Sequence, residues 1–349
     1  MQIAALFGRV TLLGIATATV LGAAELVARL VYTPEPARRA YDPYVYKTLA
    51  PNLVDTFVIT NDADEEVTVR TNALGLRGPE VGEKRGPRLV FLGGSTTENY
   101  RFNERDTFPA MIAARLRSSS GRPVEAFNAG LSGATTAHSV SRLQHHLLAL
   151  QPDVVVVYHA INDLLAGYAR DYDPTHRNLT PPATAGRSRL LAWLSRSRYP
   201  DFTTDAPYGT FSSPPPLGPS GPVSRLPSLP VFERNIRSMA AIADAHQVKI
   251  LFVTQLTAYG QTAPSRLALA RSLSGGWEPT PDVASLAAGV RRFNDVLRQV
   301  PTSTSVRVHD LVSEVTVTDE LLYDDCHLTR RGNQVVAERL TPVIASMLP

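Results

Sequence analysis

The chain has almost no cysteine: Cys326 is the single one among 349 residues. One thiol excludes an intrachain disulfide, so cysteine pairing says nothing about the compartment in which the protein works. Charge is also modest, at 19% Asp, Glu, Lys and Arg with a net charge of +3. Basic and acidic residues are interspersed, without a Lys/Arg block or a basic–aromatic pattern, which argues against a nucleic-acid partner. His138, His145, His146, His176, His246 and His309 lack metal-ligand spacing. No dinucleotide motif stands out, so neither a metal nor a cofactor is expected.

Long apolar runs are scarce too, with one exception at the start. Val10 to Ala24 carries no charge, and Ile3 to Phe7 and Leu26 to Tyr32 extend it towards the roughly 20 residues that span a bilayer. One reading is a single membrane anchor with Arg9 and Arg29 at the two interfaces, which places the body outside the cytoplasm. A signal peptide cleaved near Gly22-Ala23-Ala24, giving a secreted protein, is the alternative. A buried amphipathic helix is the third. Arg29, Arg38 and Arg39 after the segment outnumber Arg9 before it, which argues against an outward-facing body.

Three regions follow from the patterning: an anchor or signal segment at 1–32, a linker and small β-rich preface at 33–87, and a larger domain at 88–349. In the preface, Thr56 to Thr60 and Glu66 to Arg70 flank Asn61-Asp62-Ala63-Asp64 and predict a hairpin. From Arg88, strands alternate with helices. Strands are predicted at Arg88–Leu92, Val124–Asn128, Val154–His159, Lys249–Gln255 and Ser305–Asp310; their apolar runs lack alternation, as in parallel strands covered on both faces. Helices are predicted over Phe108–Leu116, Val140–Leu150, Val231–His246, Asp282–Gln299 and Val336–Met347. The fold expected is a three-layer α/β/α sandwich on a five-stranded parallel sheet. Residues 167–230, rich in Pro, Ser and Thr, interrupt this rhythm as a long insertion, with one apolar helix predicted at 187–198.

The chemistry gathers where strands end. Leu89-Val90-Phe91-Leu92 runs into Gly93-Gly94-Ser95-Thr96-Thr97. That loop lacks the phosphate-cradling Gly-x-x-x-x-Gly-Lys-Ser/Thr pattern and the Gly-x-Ser-x-Gly elbow. After the second strand comes Asn128-Ala129-Gly130-Leu131-Ser132-Gly133, and after the third His159-Ala160-Ile161-Asn162-Asp163. Near the end stands Asp324-Asp325-Cys326-His327-Leu328-Thr329. In open α/β sheets, sites form beyond the carboxyl ends of strands. A serine hydroxyl needs a base to take its proton, and the base needs an orienting acid. Acid and base three residues apart put both groups on one loop, with Asp324 or its neighbour Asp325 as the acid.

The order and spacing of these four motifs resemble the SGNH (GDSL-type) hydrolase superfamily over about residues 88 to 348. The preface, with Tyr41-Asp42-Pro43-Tyr44 and Asn72-Ala73-Leu74-Gly75-Leu76-Arg77-Gly78, looks like that of membrane-anchored bacterial members. The resemblance implies a flavodoxin-like sheet and a Ser-His-Asp acyl-enzyme mechanism. Ser95 is then the nucleophile, His327 the base and Asp324 its orienter. The oxyanion is met by the Ser95 and Gly133 backbone N–H groups and the Asn162 amide. The chain departs from the older Gly-Asp-Ser-Leu form, with Gly94 before the serine and Thr96-Thr97 after it. Ala160 also replaces the glycine usual two residues before the asparagine. His159 and Glu98 are further candidates for substrate contact. The function expected is a serine esterase acting on an O-acetyl or other acyl ester of an envelope carbohydrate or lipid. An O-acyltransferase with the same residues and a non-catalytic glycan-binding protein are the alternatives.

Overall fold

The computed structural model describes residues 2–31, 38–59, 65–168, 172–175, 190, 220–259 and 280–349. The turn of the predicted hairpin, most of the 167–230 insertion and nearly all of the helix predicted at 187–198 lie outside these residues.

From Gly8 onward, helix α1 (Gln2–Val31) leaves most of its apolar side chains uncovered, with Leu12 70% and Leu30 77% exposed. A water-facing helix hides such residues along one stripe, so the buried-helix reading of this segment does not hold. Its stretch Gly8–Val31 spans 24 residues, about 36 Å of helix, and is long and apolar enough to cross a membrane. A signal sequence has the same character.

Two antiparallel hairpins follow: β1 (Arg39–Asp42) with β2 (Tyr46–Leu49), and β3 (Val54–Ile59) with β4 (Glu65–Arg70). The second is the predicted one. The first has no predicted counterpart. Leu49, Ile59, Val67, Val69 and Tyr100 form a small core beneath them.

The main sheet contains β5 (Arg88–Gly93), β6 (Glu125–Asn128), β7 (Val154–Tyr158), β8 (Lys249–Val253) and β9 (Val306–His309), all parallel, in the order β9-β8-β7-β5-β6. All five strands appear where the sequence predicts them, give or take two residues. Both faces are covered, and the pleat sorts the side chains between them. Val90, Leu92, Val155, Val157, Ile250 and Phe252 point into one core. Leu89, Phe91, Val154, Val156, Leu251 and Val253 point into the other.

Helices α2 (Ser95–Glu98), α3 (Phe108–Ser120), α4 (Thr136–Arg142), α5 (Ile161–Tyr168), α6 (Leu229–Ala245), α7 (Val283–Arg298) and α8 (Arg330–Ala345) complete the layers. Local chemistry sets their ends. The Thr107 hydroxyl accepts from Ala110 N at the start of α3, and Gly121, at φ 66°, ends it. One expectation changes: the helix predicted to run to Leu150 is α-helical only to Arg142. A π turn follows over Leu143–Leu147 and a 3-10 turn over Leu148–Leu150. The predicted apolar positions Leu143, Leu147 and Leu150 are nonetheless buried.

The strand order reverses at β5, whose neighbours are β6 on one side and β7 on the other. Their carboxyl ends therefore open on the switch-point crevice of a doubly wound sheet.

Helices α3 and α8 lie together on one face and are joined by Asn333, which is fully buried. Its Oδ1 accepts from Phe108 N at 3.0 Å and its Nδ2 donates to Asn99 Oδ1 at 3.1 Å. We expect Asn333→Ala to lower stability by about 2 kcal/mol or more, because it leaves buried polar groups unpaired. Urea unfolding measures this, and a loss below about 0.5 kcal/mol would mean the junction rests on apolar packing alone.

Candidate active site

Strand β5 ends at Gly93, and Gly94 turns the chain into the single turn α2. The Gly94 carbonyl accepts from Thr97 N at 3.1 Å and Glu98 N at 3.0 Å, and Asn99 closes the turn at φ 52°. Two glycines permit close approach. A Cβ on Gly94 would stand 2.3 Å from Asn162 Nδ2, and one on Gly130 would stand 2.2 Å from Glu98 N. The loops after β5, β6 and β7 thus meet around Ser95 because these positions carry no side chain.

The carbonyls at the end of this turn find donors elsewhere. Arg77, fully buried, donates from Nη1 to the Glu98 carbonyl at 2.8 Å and the Asn99 carbonyl at 2.7 Å. Its Nη2 donates to the Phe102 carbonyl at 2.7 Å, and its Nε pairs with Glu104 at 2.9 Å. Asn128 Nδ2 donates to the Thr97 carbonyl at 2.7 Å. Sequence reasoning noted the Asn72–Gly78 stretch and the Asn128 motif, but not that both brace the turn carrying Ser95.

A continuous hydrogen-bonded line runs from Ser95 to the loop before α8. Ser95 Oγ and His327 Nε2 are 2.7 Å apart, and His327 Nδ1 and Asp324 Oδ2 are 2.6 Å apart. The second carboxylate oxygen, Asp324 Oδ1, accepts from His327 N at 2.7 Å and Cys326 N at 3.0 Å. Burial alone would raise the Asp324 pKa, but the His327 charge and these bonds hold it below the ordinary value. Burial likewise disfavours charge on His327, and the Asp324 and Asp325 carboxylates outweigh it, leaving the imidazole above 6.5.

Asp325 faces the other way. Burial and the Asp324 charge push it up to about 6, and its Oδ2 accepts from the Tyr259 hydroxyl at 2.5 Å. Cys326 packs into the core, where burial raises its thiol well above the ordinary range. The ligand atoms of Asp324, Asp325, Cys326 and His327 lie within 4.8 Å of one another. Their hydrogen bonds and the protonated thiol already engage this set without a cation.

Across the crevice, Asn162 Nδ2 donates one N–H to the Ala134 carbonyl at 2.8 Å. An amide nitrogen carries two, and the second has no partner among the described residues. Gly133 is exposed at φ 73°. The Ser95 and Gly133 backbone N–H groups likewise make no hydrogen bond among the described residues. The cleft over Ser95 and His327 is lined by Tyr100, Arg101, Ser132 and Tyr323. The Tyr323 ring stacks on His327 at 5.5 Å between centroids, and the Arg101 guanidinium lies 4.7 Å over Tyr323.

Two candidates lie elsewhere. His159 is 2% exposed, hydrogen-bonded through Nε2 to Ser139 Oγ at 2.7 Å, and burial lowers its pKa to about 3. Glu98 is fully buried, paired with Arg39 at 2.7 Å and accepting from the Ser132 backbone N–H and hydroxyl. Neither side chain is among those lining the cleft; Glu98 instead supports the loop that does face it. Beside Asn162, Asp163 accepts from Thr136 N at 3.0 Å, so the two neighbours brace the same 134–136 loop.

The GDSL-like Lipase/Acylhydrolase family matches residues 91–335, most of the chain. The chain belongs to this family. Its fold is similar to that of several solved structures. A lipase/acylhydrolase from Enterococcus faecalis is 16% identical, covering 75% of this chain and 97% of that one, with a TM-score of 0.44. A GDSL-like lipase from Bacteroides thetaiotaomicron is 16% identical, covering 77% and 93%, with a TM-score of 0.39. An acetyl xylan esterase from Geobacillus stearothermophilus is 16% identical, covering 74% and 94%, with a TM-score of 0.41. No curated protein matches this chain. Membership of this family makes the protein a hydrolase of the esterase kind.

The imidazole gives a direct test of the local electrostatics. NMR titration of His327 should show a midpoint above 6.5 in the wild type and a lower one in Asp324→Asn, where the stabilising charge is gone. An unchanged midpoint would mean that Asp324 does not set the basicity of the ring.

Proposed function

We propose that the protein is a serine esterase working through an acyl-enzyme, with Ser95 as nucleophile, His327 as base and acid, and Asp324 as orienter. The observation that carries this reading is the hydrogen-bonded line from Ser95 Oγ through His327 to Asp324, at 2.7 and 2.6 Å. As Ser95 Oγ bonds to the ester carbonyl carbon, its proton passes to His327 Nε2. Negative charge collects on the carbonyl oxygen, facing the Ser95 and Gly133 N–H groups and the second Asn162 N–H. Collapse breaks the bond to the alcohol, which leaves with the proton held by His327. Water then gives a proton to His327 and attacks the acyl carbon. The acid departs, and the proton returns to Ser95.

Residues 88–349 form the catalytic domain in this reading, residues 33–87 its preface, and residues 1–32 a membrane anchor that holds the body outside the cytoplasm. The exposed apolar length of α1 supports the anchor. A tethered enzyme there meets acyl esters of envelope carbohydrates and lipids, and an O-acetyl ester of such a molecule is the substrate class we assign.

Ser95→Ala should abolish hydrolysis of p-nitrophenyl acetate and labelling by a fluorophosphonate while leaving Tm near wild type; retained turnover moves the nucleophile elsewhere. Asn162→Ala should lower kcat by roughly 10²–10³, and an unchanged rate removes it from the oxyanion site. The base must be neutral to accept a proton, so kcat/KM should rise with pH through the His327 midpoint, above 6.5. Asp324→Asn should injure kcat more than Asp325→Asn; the reverse order would reassign the orienter.

A further inference from the structure

Gly133 stands in the left-handed region at φ 73°, and glycine has the greatest backbone freedom of any residue. A donor at such a position must be held by its surroundings. On one side, the Ala134 amide turns back to the Leu131 carbonyl at 2.9 Å, and Asn162 holds the Ala134 carbonyl. On the other side, Ser132 is held by Glu98, which accepts from both its backbone N–H and its hydroxyl. Glu98 is the last residue of the turn that begins at Ser95. One carboxylate therefore links the turn carrying the nucleophile to the loop carrying Gly133.

That carboxylate is fully buried, and an unpaired charge in such a place is strongly destabilising. Arg39 supplies the pair: Nη1 donates to Oε1 at 2.7 Å and Nη2 to Oε2 at 3.3 Å, a two-pronged contact that fixes the plane of the carboxylate. Arg142, also buried, feels the Glu98 charge. Its own guanidinium donates to the Ala129 carbonyl and to Thr48 Oγ1, so it can balance charge without aiming the carboxylate. Arg39 begins the strand that follows α1 and lies outside the family match over 91–335.

We propose that Arg39 is a positioning residue of the active site, acting through Glu98 to hold Ser132 and so to aim the Gly133 N–H. This role rests on the esterase reading, in which that N–H meets the oxyanion. The preface strand next to the proposed anchor is then a working part of the site. A displacement of about 1 Å in a reacting geometry costs up to about 100-fold in rate. Lysine keeps the charge but cannot grip both carboxylate oxygens in a fixed plane.

The test uses the full-length chain in detergent, with Arg39→Met, Arg39→Lys, Glu98→Gln and the double variant Arg39→Met/Glu98→Gln. Arg88→Met is the control, since it breaks another buried pair, with Glu125 at 2.8 Å, at the opposite end of β5. Two quantities are read: kcat and KM for p-nitrophenyl acetate, and amide hydrogen exchange over residues 131–134. For Arg39→Met we expect kcat to fall between about 10- and 100-fold with KM little changed, and exchange over 131–134 to quicken. Arg39→Lys should lie between it and wild type. The double variant should be no worse than Glu98→Gln, because both changes break one chain of contacts. Arg88→Met should lower Tm and leave kcat and the 131–134 exchange alone.

A folded Arg39→Met protein with wild-type kcat and unchanged exchange overturns the proposal. If Arg39→Met does not fold, Arg39→Lys decides by the same two readings. If the wild type cleaves no ester, the esterase reading fails by itself. The exchange data then still uphold the Arg39–Glu98–Ser132 coupling if 131–134 quickens, and reject it if they do not.

Discussion

The site depends on a problem of hydrogen bonding in the interior. A helix of a single turn has more unpaired carbonyls than internal bonds, and α2 ends inside the protein. Each buried carbonyl left without a donor costs about 1–3 kcal/mol. Arg77 answers with a rigid fork whose nitrogens reach the carbonyls of Glu98, Asn99 and Phe102 together, and Asn128 takes that of Thr97. With the turn held this way, Ser95 projects from a fixed point, Asn99 keeps its left-handed backbone, and Asn333 finds the Asn99 side chain across the domain. Donors from the preface and from β6 thus hold what the sheet alone leaves loose.

Two adjacent carboxyl groups at the other end of the site show how surroundings divide like residues. Asp324 and Asp325 are equally buried, at 3% exposed each. Asp324 receives two backbone N–H groups and the imidazole, which favour its charge. Asp325 receives one hydroxyl and feels its neighbour's charge, which opposes its own. The pair is pushed apart in acidity, the arrangement that separates roles between groups of one kind. The lower-lying member is the one that grips His327.

Much of this architecture was legible in the sequence, and the reasons are local. The five strands announced themselves as short apolar runs ending at glycine, asparagine or a polar turn, and the motifs at their ends fell around one crevice. The hydrogen bonds that support the crevice were not legible, because they join residues whose partners are chosen only by the fold. Arg39 read only as one of the charges that follow the apolar segment, and Arg77 only as part of the Asn72–Gly78 stretch. His159 and Glu98 read as substrate contacts because they neighbour the motifs in sequence, yet nearness along the chain does not fix direction. His159 points to Ser139 on α4, and Glu98, one turn past Ser95, points back to Arg39 and Ser132. The change from α to π geometry after Arg142 left no trace either, since the same leucines are buried in both.

The contact between Ser95 and His327 joins residues 232 positions apart, and Asn333 reaches Asn99 across 234. Contacts this distant close late, since the intervening chain must first lose its freedom. Until the loop before α8 is in place, Ser95 has no imidazole within hydrogen-bonding distance. A chain that ends before Asp324 lacks both His327 and Asp324, and in the proposed mechanism its Ser95 then has no base. In the proposed mechanism, the fold thus withholds the base from the hydroxyl until the C-terminal segment is in place.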